Sequence, residues 1–412
     1  MTKPNWFDTR IENALLKHQS PDDEQGYFVY QLDALKAHLE QLQQQDVIKL
    51  WFAVKANPLS KIIQTLDGAG FDFDVASAGE LAQVLAQGIN PDRVLNTGPA
   101  KSKKQLKAFV DLGVQTFVVE SLNQLTWLNE VIADKAITEQ SDIQRPTVLL
   151  RVQLQWSDGE KNPLGGNGLT PFGLSVQEWK HVKVSDYSHL NICGLHIFQW
   201  GNMLSNEKMY SLWGQMVAPL TSLANDIGME LKILDLGGGL GIDYLNEGKQ
   251  LSWQQVIADL ANIKEQAGVE ELWLELGRFA VAECGYYVVP VVDRKMNYDQ
   301  EQLVLAAGIN HLIRPAITDQ PFPVTLLRNS DEQNQAFDLH GPLCTSMDKL
   351  GHLLLPADVG VDDKLVFGYC GAYGFTESMP FFLCHQLAAE YVFQEGALVE
   401  IRPAQPATSY LA

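Results

Sequence analysis

The sequence predicts an α/β barrel of the TIM type, followed by a second domain that is mostly β. Between about Tyr27 and Glu283, short apolar runs alternate with segments of helical periodicity, which is typical of parallel strands joined by crossover helices. About eight strand–helix units fit into this stretch, which favours a closed barrel over an open sheet. After Gly285, helical periodicity is sparse, and the apolar runs are separated by glycine, proline and asparagine, as in β structure.

Each strand is predicted from a short apolar run bounded by polar or turn residues. The barrel strands are Leu50–Val54, Phe71–Val75, Arg93–Asn96, Thr116–Glu120, Thr147–Leu154, Ile192–Phe198, Lys232–Leu236 and Leu272–Glu275. Helices follow the first two strands at Ser60–Leu66 and Gly79–Ala86. The strands of the second domain are Tyr286–Arg294, Leu303–Ala306, Pro323–Leu327 and Lys364–Phe367. Two loops are predicted, a mobile lid at Ser157–Pro171 and a surface loop at Asn329–Gln335.

The length and composition limit the classes of protein that fit. A chain of 412 residues exceeds what one core usually supports, so we assign residues 26–284 to the barrel and residues 1–25 with 285–412 to a β domain. The net charge of −20 disfavours nucleic acid and anionic membranes as partners. The five cysteines form neither a CxxC pair nor a disulfide pattern, so no zinc site is expected. Neither a signal peptide nor a run of the ~20 apolar residues of a membrane helix is seen, so a cytoplasmic protein is expected.

Lys55 follows an apolar strand within Phe52–Pro58 (Phe-Ala-Val-Lys-Ala-Asn-Pro). A lysine is costly to bury there unless it is paired or used covalently. The carboxyl end of a barrel strand is where barrel enzymes do chemistry, and an amine in such a place can attack a carbonyl group. The alternative is a lysine whose stem lies along the strand end while its charge reaches water; for a single lysine this is the commoner case.

Three further segments carry residues suited to an anionic, ring-containing cofactor. Leu234–Gly241 (Leu-Asp-Leu-Gly-Gly-Gly-Leu-Gly) follows a strand, and its glycines can bring N–H groups close to a phosphate or simply form a tight turn. Glu275 and Arg278 lie three residues apart, and they suit a protonated ring nitrogen and a phosphate, or a solvated ion pair. His196 at a strand end can stack on a ring or pack in the core. Cys344 can be a reactive thiol or a small buried side chain.

Together and in this order, these segments resemble the ornithine/diaminopimelate decarboxylase family. Its members are pyridoxal 5'-phosphate (PLP) enzymes of the alanine-racemase-type fold, with a barrel plus a β domain. The resemblance runs from about Gly26 to Glu395. The strongest matches are Phe52–Pro58, Phe73–Glu80, Leu234–Gly241, Glu275–Arg278, Gly341–Asp348 and Gly371–Tyr373.

The resemblance implies a role for each matched residue. Lys55 holds PLP covalently, supported by Asp74 and Glu80, while His196 stacks on the ring and Glu275 pairs with the ring nitrogen. The phosphate is held by Gly237, Gly238, Gly239, Gly277, Arg278 and Tyr373. Cys344 arrives from a second subunit as a proton donor, which implies a homodimer with shared active sites. Arg314, Thr345 and Asp348 face the substrate.

The implied reaction is decarboxylation, with PLP as the electron sink. Alanine racemases of this fold place an arginine against the ring nitrogen, so Glu275 favours decarboxylation over racemisation. A further alternative is a non-catalytic PLP-binding regulator. The presence of Lys55, Cys344 and Tyr373 together argues against it, because a regulator does not need all three.

The substrate half of the implied site departs from the family pattern. Thr345 stands where diamine-forming members have an acidic residue that pairs with the distal ammonium, and Met379–Leu383 is apolar where diaminopimelate decarboxylases are polar. Phe198 replaces a histidine and Pro171 a lysine of the lid. These departures resemble a subgroup that acts on amino acids already attached to another group, in butirosin and carboxylate-siderophore pathways.

The expected substrate is therefore a small-molecule or carrier-attached amino acid. Arg314 matches a family position that meets a substrate carboxylate and suits a citryl or similar acidic group. Diaminopimelate decarboxylase remains the main alternative, since it fits Arg314 although it does not fit Thr345.

Overall fold

A computed structural model of the protein describes residues 3–18, 25–139, 144–156 and 170–411. The predicted lid at Ser157–Pro171 lies outside the described residues up to position 169. The chain forms two compact units. The barrel unit comprises Leu39–Gly241 and Lys249–Gly277, and the β unit comprises Met1–His38, Ile242–Gly248 and Arg278–Ala412. No helix in the described part of the chain is long and apolar enough to cross a bilayer.

The barrel unit contains a closed barrel of parallel strands. In chain order, the strands are Lys49–Ala53, Asp72–Val75, Val94–Asn96, Thr116–Val119, Thr147–Gln153, Asn191–His196, Ile233–Asp235 and Glu271–Leu276. Each strand pairs with the next, and the eighth pairs with the first, with Glu275 opposite Trp51. All eight predicted strands are present with ends within two residues of the prediction, so the α/β barrel is confirmed.

Seven of the barrel strands each contribute one side chain to a single buried cluster. Its members are Trp51, Leu95, Val118, Leu149, Cys193, Ile233 and Trp273. Only the interior of the barrel can be reached from strands on all sides, so this cluster fills the barrel as packed core. The rings of Trp51 and Trp273 lie 5.1 Å apart and provide much of the volume.

Helices follow the barrel strands, and several begin after a serine that caps them. They are Ser60–Gly68, Ala78–Leu85, Lys103–Asp111, Leu122–Glu139, Val176–Trp179, Asn206–Asp226 and Trp253–Ala267, and a further helix, Leu32–Leu42, precedes the first barrel strand. Ser77, Ser205 and Ser252 each accept a hydrogen bond from a backbone N–H in the first turn, which satisfies a donor that the helix itself cannot. Both helices predicted after the first two strands are present.

The β unit is built on a nine-stranded mixed sheet, which confirms the mostly β second domain. The strands are Tyr27–Gln31, Gly285–Asn297, Gln300–Leu305, Val324–Leu326, Asn334–His340, Lys349–Pro356, Lys364–Phe367, Ala389–Gln394 and Ala397–Arg402. Three short helices belong to this unit: Thr9–Lys17, Arg278–Val281 and Arg314–Thr318. The predicted surface loop Asn329–Gln335 ends where a strand begins at Asn334.

Tyr27–Gln31 belongs to this mixed sheet, although the sequence places it at the start of the barrel region. It runs antiparallel to Gly285–Asn297 and parallel to Ala389–Gln394, and all five of its residues are buried. A strand covered on both faces has the same continuous apolar pattern as a barrel strand, so the pattern cannot tell them apart. The domain limits at residues 26 and 284 stay a prediction, because compactness alone does not show that a segment folds independently.

Candidate functional site

The polar residues predicted to bind the cofactor ring lie at the carboxyl ends of the barrel strands. Lys55 is in the turn Val54–Ala56 directly after the first strand, and Asp74 is in the second. His196 ends the sixth strand, and Glu275 is the penultimate residue of the eighth. Because the carboxyl ends of parallel strands form one rim, the fold brings these side chains together.

Lys55 faces a buried carboxyl group on the neighbouring strand. Its Nζ lies 3.7 Å from Oδ2 of Asp74, and the lysine side chain is 46% exposed while that of Asp74 is buried. The Thr97 hydroxyl donates a hydrogen bond to Oδ1 of Asp74. Burial raises the pKa of Asp74 to about 7, with a further contribution from Glu275, while Lys55 and Thr97 oppose the shift. The lysine is thus held beside a carboxyl group while its amine remains reachable from solvent.

Glu80 supports the same region through the backbone. One of its carboxylate oxygens accepts a hydrogen bond of 2.6 Å from the N–H of Ala76, and its own N–H donates to Oγ of Ser77. These bonds set the turn that connects the Asp74 strand to the next helix. The structure therefore gives Glu80 an indirect place near the lysine, and its role toward the cofactor stays a prediction.

His196 and Glu275 are buried next to each other. Nε2 of His196 lies 3.2 Å from Oε1 of Glu275. Within the described residues, neither ring nitrogen of His196 has a well-aligned hydrogen-bond partner, and nor does Oε1 of Glu275. Burial lowers the pKa of His196, so its ring is neutral and suited to stacking. Burial also opposes ionisation of Glu275, but His196, Lys55 and Arg151 outweigh it and lower the pKa of that carboxyl.

The three glycines after the seventh strand pack where no side chain fits. A Cβ on Gly238 would lie 2.2 Å from the carbonyl oxygen of Glu275, and one on Gly239 would lie 2.6 Å from that of Trp200. Gly237 and Gly239 also have positive φ angles, of 64° and 104°. Among the described residues, the N–H groups of Gly238 and Gly239 have no acceptor. These donors form a cradle for an anion directly beside Glu275, and Gly277 follows the end of the eighth strand.

This arrangement fits PLP. The rim offers an accessible lysine for the aldehyde carbon, a buried carboxylate for the ring nitrogen and a neutral imidazole for the ring face. The glycine turn offers two N–H groups for the phosphate. Buried polar atoms without partners are rare in proteins, and a bound cofactor accounts for those of His196 and Glu275.

In the β unit, the predicted phosphate residues Arg278 and Tyr373 are adjacent. The Tyr373 ring lies 5.2 Å from the guanidinium of Arg278 and 4.1 Å from that of Arg314. The turn that carries Tyr373 packs on the short helix that begins at Arg278, and a Cβ on Gly371 would lie 1.8 Å from the carbonyl oxygen of Val281. Only glycine allows this approach, so Gly371 determines the position of Tyr373 relative to Arg278.

Arg314 is paired with a residue that the sequence analysis missed. Its Nε donates a hydrogen bond of 2.9 Å to Oε2 of Glu377, and its Nη2 donates to the other oxygen. The arginine side chain is 16% exposed, and no acceptor for Nη1 is present in the described residues. Arg314 therefore presents one donor edge to solvent while Glu377 holds the other.

Cys344 lies on an exposed turn that Asp348 holds in place. Oδ1 of buried Asp348 accepts from the N–H of Ile309 at 2.8 Å, and Oδ2 accepts from that of Leu343 at 2.7 Å. Thr345 accepts a hydrogen bond from the N–H of Met347. A substrate contact by Asp348 stays a prediction, and it would compete with these two bonds.

Buried charges on neighbouring strands were also missed. Arg151 donates a hydrogen bond of 3.0 Å to Glu120, and both residues are buried. Lys101 is buried, donates to the carbonyl oxygen of Val118, and has a pKa lowered by burial to about 8. Asp235 ends the seventh strand and is completely buried. A charge inside an apolar run was the available signal, for example Arg151 within Thr147–Gln153.

The chain is similar to known decarboxylases over most of its length. A sequence model of the family described as "pyridoxal-dependent decarboxylase, pyridoxal binding domain" matches residues 32–282. The 2-[(L-alanin-3-ylcarbamoyl)methyl]-2-hydroxybutanedioate decarboxylase of Staphylococcus aureus is 28% identical over 375 residues, covering 87% of this chain and 92% of the relative. Diaminopimelate decarboxylase of Pseudomonas aeruginosa is 30% identical over 335 residues, covering 79% of this chain and 77% of the relative.

A solved structure supports the fold. The crystal structure of diaminopimelate decarboxylase from Helicobacter pylori complexed with L-lysine superposes with a TM-score of 0.83 at 20% identity, covering 97% of this chain and 98% of the other. The sequence similarity and the arrangement of the residues at the barrel rim both indicate a PLP enzyme. The chain therefore belongs to the pyridoxal-dependent decarboxylase family and is a PLP-dependent amino-acid decarboxylase.

Proposed function

We propose that this enzyme decarboxylates an amino acid that is conjugated through its side chain to a carboxylate-rich group, in a siderophore or similar biosynthetic pathway. The observation that carries the proposal is the lack of a free carboxylate on the Cys344 turn, residues Gly341–Asp348. Its only acidic residue is Asp348, whose two oxygens already accept backbone N–H groups. A substrate with a distal ammonium would find only the hydroxyl of Thr345 on this turn.

Arg314 beside Tyr373 supports an acidic distal group. Its guanidinium lies 4.1 Å from the Tyr373 ring, and its Nη1 has no acceptor among the described residues, while Glu377 accepts from Nε. The name of the Staphylococcus aureus relative describes an alanine unit joined through a carbamoyl group to hydroxybutanedioate, which has two carboxylates. The exposed edge of Arg314 suits one such carboxylate.

When bound, PLP supplies the electron sink that allows the α-carboxylate to leave as carbon dioxide. Lys55 would bind the cofactor, the glycine turn together with Arg278 and Tyr373 would hold its phosphate, and His196 would pack on its ring. Glu275, as a carboxylate, would keep a proton on the ring nitrogen. Cys344 then delivers a proton to the substrate carbon.

We also propose that the enzyme is a cytoplasmic homodimer in which Cys344 serves the partner's site. Cys344 and Met347 are exposed, as are Phe381 and Phe382. Ile309 links these two segments, because its N–H binds Asp348 and its carbonyl oxygen accepts from Met379. An exposed apolar surface around a thiol suits a subunit interface.

Diaminopimelate decarboxylase is the second candidate function. The relative from Pseudomonas aeruginosa, at 30% identity, favours it, and Arg314 suits the second carboxylate of diaminopimelate. Without an acidic partner, its distal ammonium would lose a charge-assisted hydrogen bond worth about 1.5–3 kcal/mol. A racemase is disfavoured because Glu275, the residue that the family resemblance sets against the ring nitrogen, is a carboxylate and not an arginine.

The first prediction concerns the lysine that binds PLP. Borohydride reduction of the holoenzyme, followed by peptide mapping, should place PLP on Lys55, and Lys55→Ala should lose the visible absorption. Lys101→Ala is the matched control, because Lys101 is a second lysine after a barrel strand, and burial lowers the pKa of its amine to about 8. PLP on Lys101, or on neither residue, would contradict the assignment.

The second prediction concerns the substrate. The 2-[(L-alanin-3-ylcarbamoyl)methyl]-2-hydroxybutanedioate substrate should have a higher kcat/KM than diaminopimelate, lysine or ornithine. Thr345→Glu should shift the ratio toward diamino acids at least about tenfold, since it restores a charged partner. Ser346→Glu is the control: it adds the same charge next to Thr345 and should leave the ratio unchanged. If wild-type enzyme prefers diaminopimelate, the second candidate function is correct.

The third prediction concerns Arg314. Arg314→Gln should raise KM for the conjugated substrate roughly ten- to hundredfold, because a hydrogen bond between charged groups is lost, while kcat changes little. Arg145→Gln, an exposed arginine of the barrel unit, should leave both constants unchanged. An unaltered KM in Arg314→Gln would remove this arginine from substrate binding.

The fourth prediction concerns Cys344. Cys344→Ala should bind PLP normally but slow amine formation, whereas Cys384→Ala, the other exposed cysteine, should not. Mixing the inactive Lys55→Ala enzyme with the slowed Cys344→Ala enzyme should raise the activity to about a quarter of wild type after random re-pairing of twofold dimers. Mixtures that gain no activity after exchange would exclude a shared site.

A further inference from the structure

Asp235 is a completely buried carboxyl group at the end of the seventh barrel strand. Its Oδ1 accepts a hydrogen bond of 2.8 Å from the N–H of Gly237, the first glycine of the cradle. Its Oδ2 has no hydrogen-bond partner within the described part of the chain. One half of this carboxyl group thus holds the phosphate turn, and the other half is unused.

The carboxyl group of Asp235 belongs to a cluster of buried titratable groups. An oxygen of Asp235, an oxygen of Glu275 and a ring nitrogen of His196 all lie within 4.8 Å of one another. The other charged groups that act on this cluster from neighbouring strands are Lys55, Asp74, Lys101, Glu120 and Arg151. Two ionised carboxylates in such a place would repel each other with little water to screen them.

The surroundings decide which of the two carboxyl groups stays ionised. Burial opposes a charge on Glu275, and the cations Lys55 and Arg151 favour it. Asp235 has one backbone N–H in its favour, against complete burial and the neighbouring charge of Glu275. Burial, reinforced by Glu275, raises the pKa of Asp235 well above its usual value. The single charge therefore rests on Glu275.

We propose that Asp235 is a positioning residue that carries a proton at neutral pH and donates it as a hydrogen bond to Glu275. This holds Glu275 as a carboxylate in a fixed orientation for the ring nitrogen of PLP. The inference rests on the proposed role of Glu275. Because Oδ1 of Asp235 also holds Gly237, one side chain would couple the phosphate turn to the ring end of the site.

Two substitutions of Asp235 test whether its side chain acts as a neutral hydrogen-bond donor or as a charged group. Asp235→Asn keeps an oxygen for the N–H of Gly237 and a neutral donor for Glu275, so PLP affinity measured by fluorescence quenching should stay within about threefold of wild type. Asp235→Ala removes both hydrogen bonds and should weaken PLP binding at least about tenfold. If Asp235→Asn binds PLP as poorly as Asp235→Ala, an ionised carboxylate is required and the proposal is wrong.

The pH dependence of stability without PLP gives an independent readout. Above the ordinary aspartate pKa of about 3.9, the unfolded chain releases a proton that folded Asp235 retains, so rising pH favours unfolding. Asp235→Asn lacks this linkage, so its Tm relative to wild type should increase steadily between pH 5 and pH 8. A difference that stays constant over that range would show that Asp235 is already ionised in the folded protein.

A spectroscopic measurement covers the case in which Asp235→Asn does not fold. Infrared spectra of wild-type protein without PLP at pH 8 should show a protonated carboxyl band, which Asp74→Asn retains. In Glu275→Gln, the band should titrate at lower pH, because the repelling charge is gone. Absence of the band at pH 8 in wild type would overturn the proposal. None of these readouts needs turnover, so a wrong substrate assignment would leave them unchanged.

Discussion

The electrostatic balance of three buried carboxyl groups at one rim of the barrel is the constraint on which the site depends. Asp74, Asp235 and Glu275 lie on the second, seventh and eighth strands, and each is almost inaccessible to water. Mutual repulsion and burial favour protonation of the two aspartates, while nearby cations favour the charge on Glu275. The barrel thereby favours one negative charge on Glu275, the residue that we propose to meet the ring nitrogen.

Close backbone packing sets the geometry around that charge. Gly238 lies against the carbonyl oxygen of Glu275, so the glycine turn and the residue that carries this carboxylate are in close backbone contact. In the β unit, Gly371 does the same for Tyr373 and Arg278. A glycine at each of these positions acts by allowing two backbone segments to touch, which no residue with a Cβ permits.

The residues proposed to meet the substrate differ in character from those proposed to hold the cofactor. Their ionic groups are partly exposed, and Arg314 is held by Glu377 rather than by backbone. The Cys344 turn is anchored from below by Asp348, which leaves Cys344, Ser346 and Met347 exposed. Such a surface can change its substrate by a few substitutions without disturbing the barrel, because little core packing depends on it.

Most of the barrel could be predicted from the sequence alone, and so could the group of polar residues and glycines at its rim. Strand–helix alternation is a local pattern, and so are the strand-end lysine, the three glycines and the pair Glu275 and Arg278. The position of Tyr27–Gln31 could not be predicted, because a strand buried on both faces has the same pattern in either sheet. The proton on Asp235 and the pairing of Arg314 with Glu377 were likewise decided only by the tertiary structure. Both depend on charged groups that are far apart in the sequence and lie within a few ångströms of each other in the fold. The sequence does not specify those distances directly.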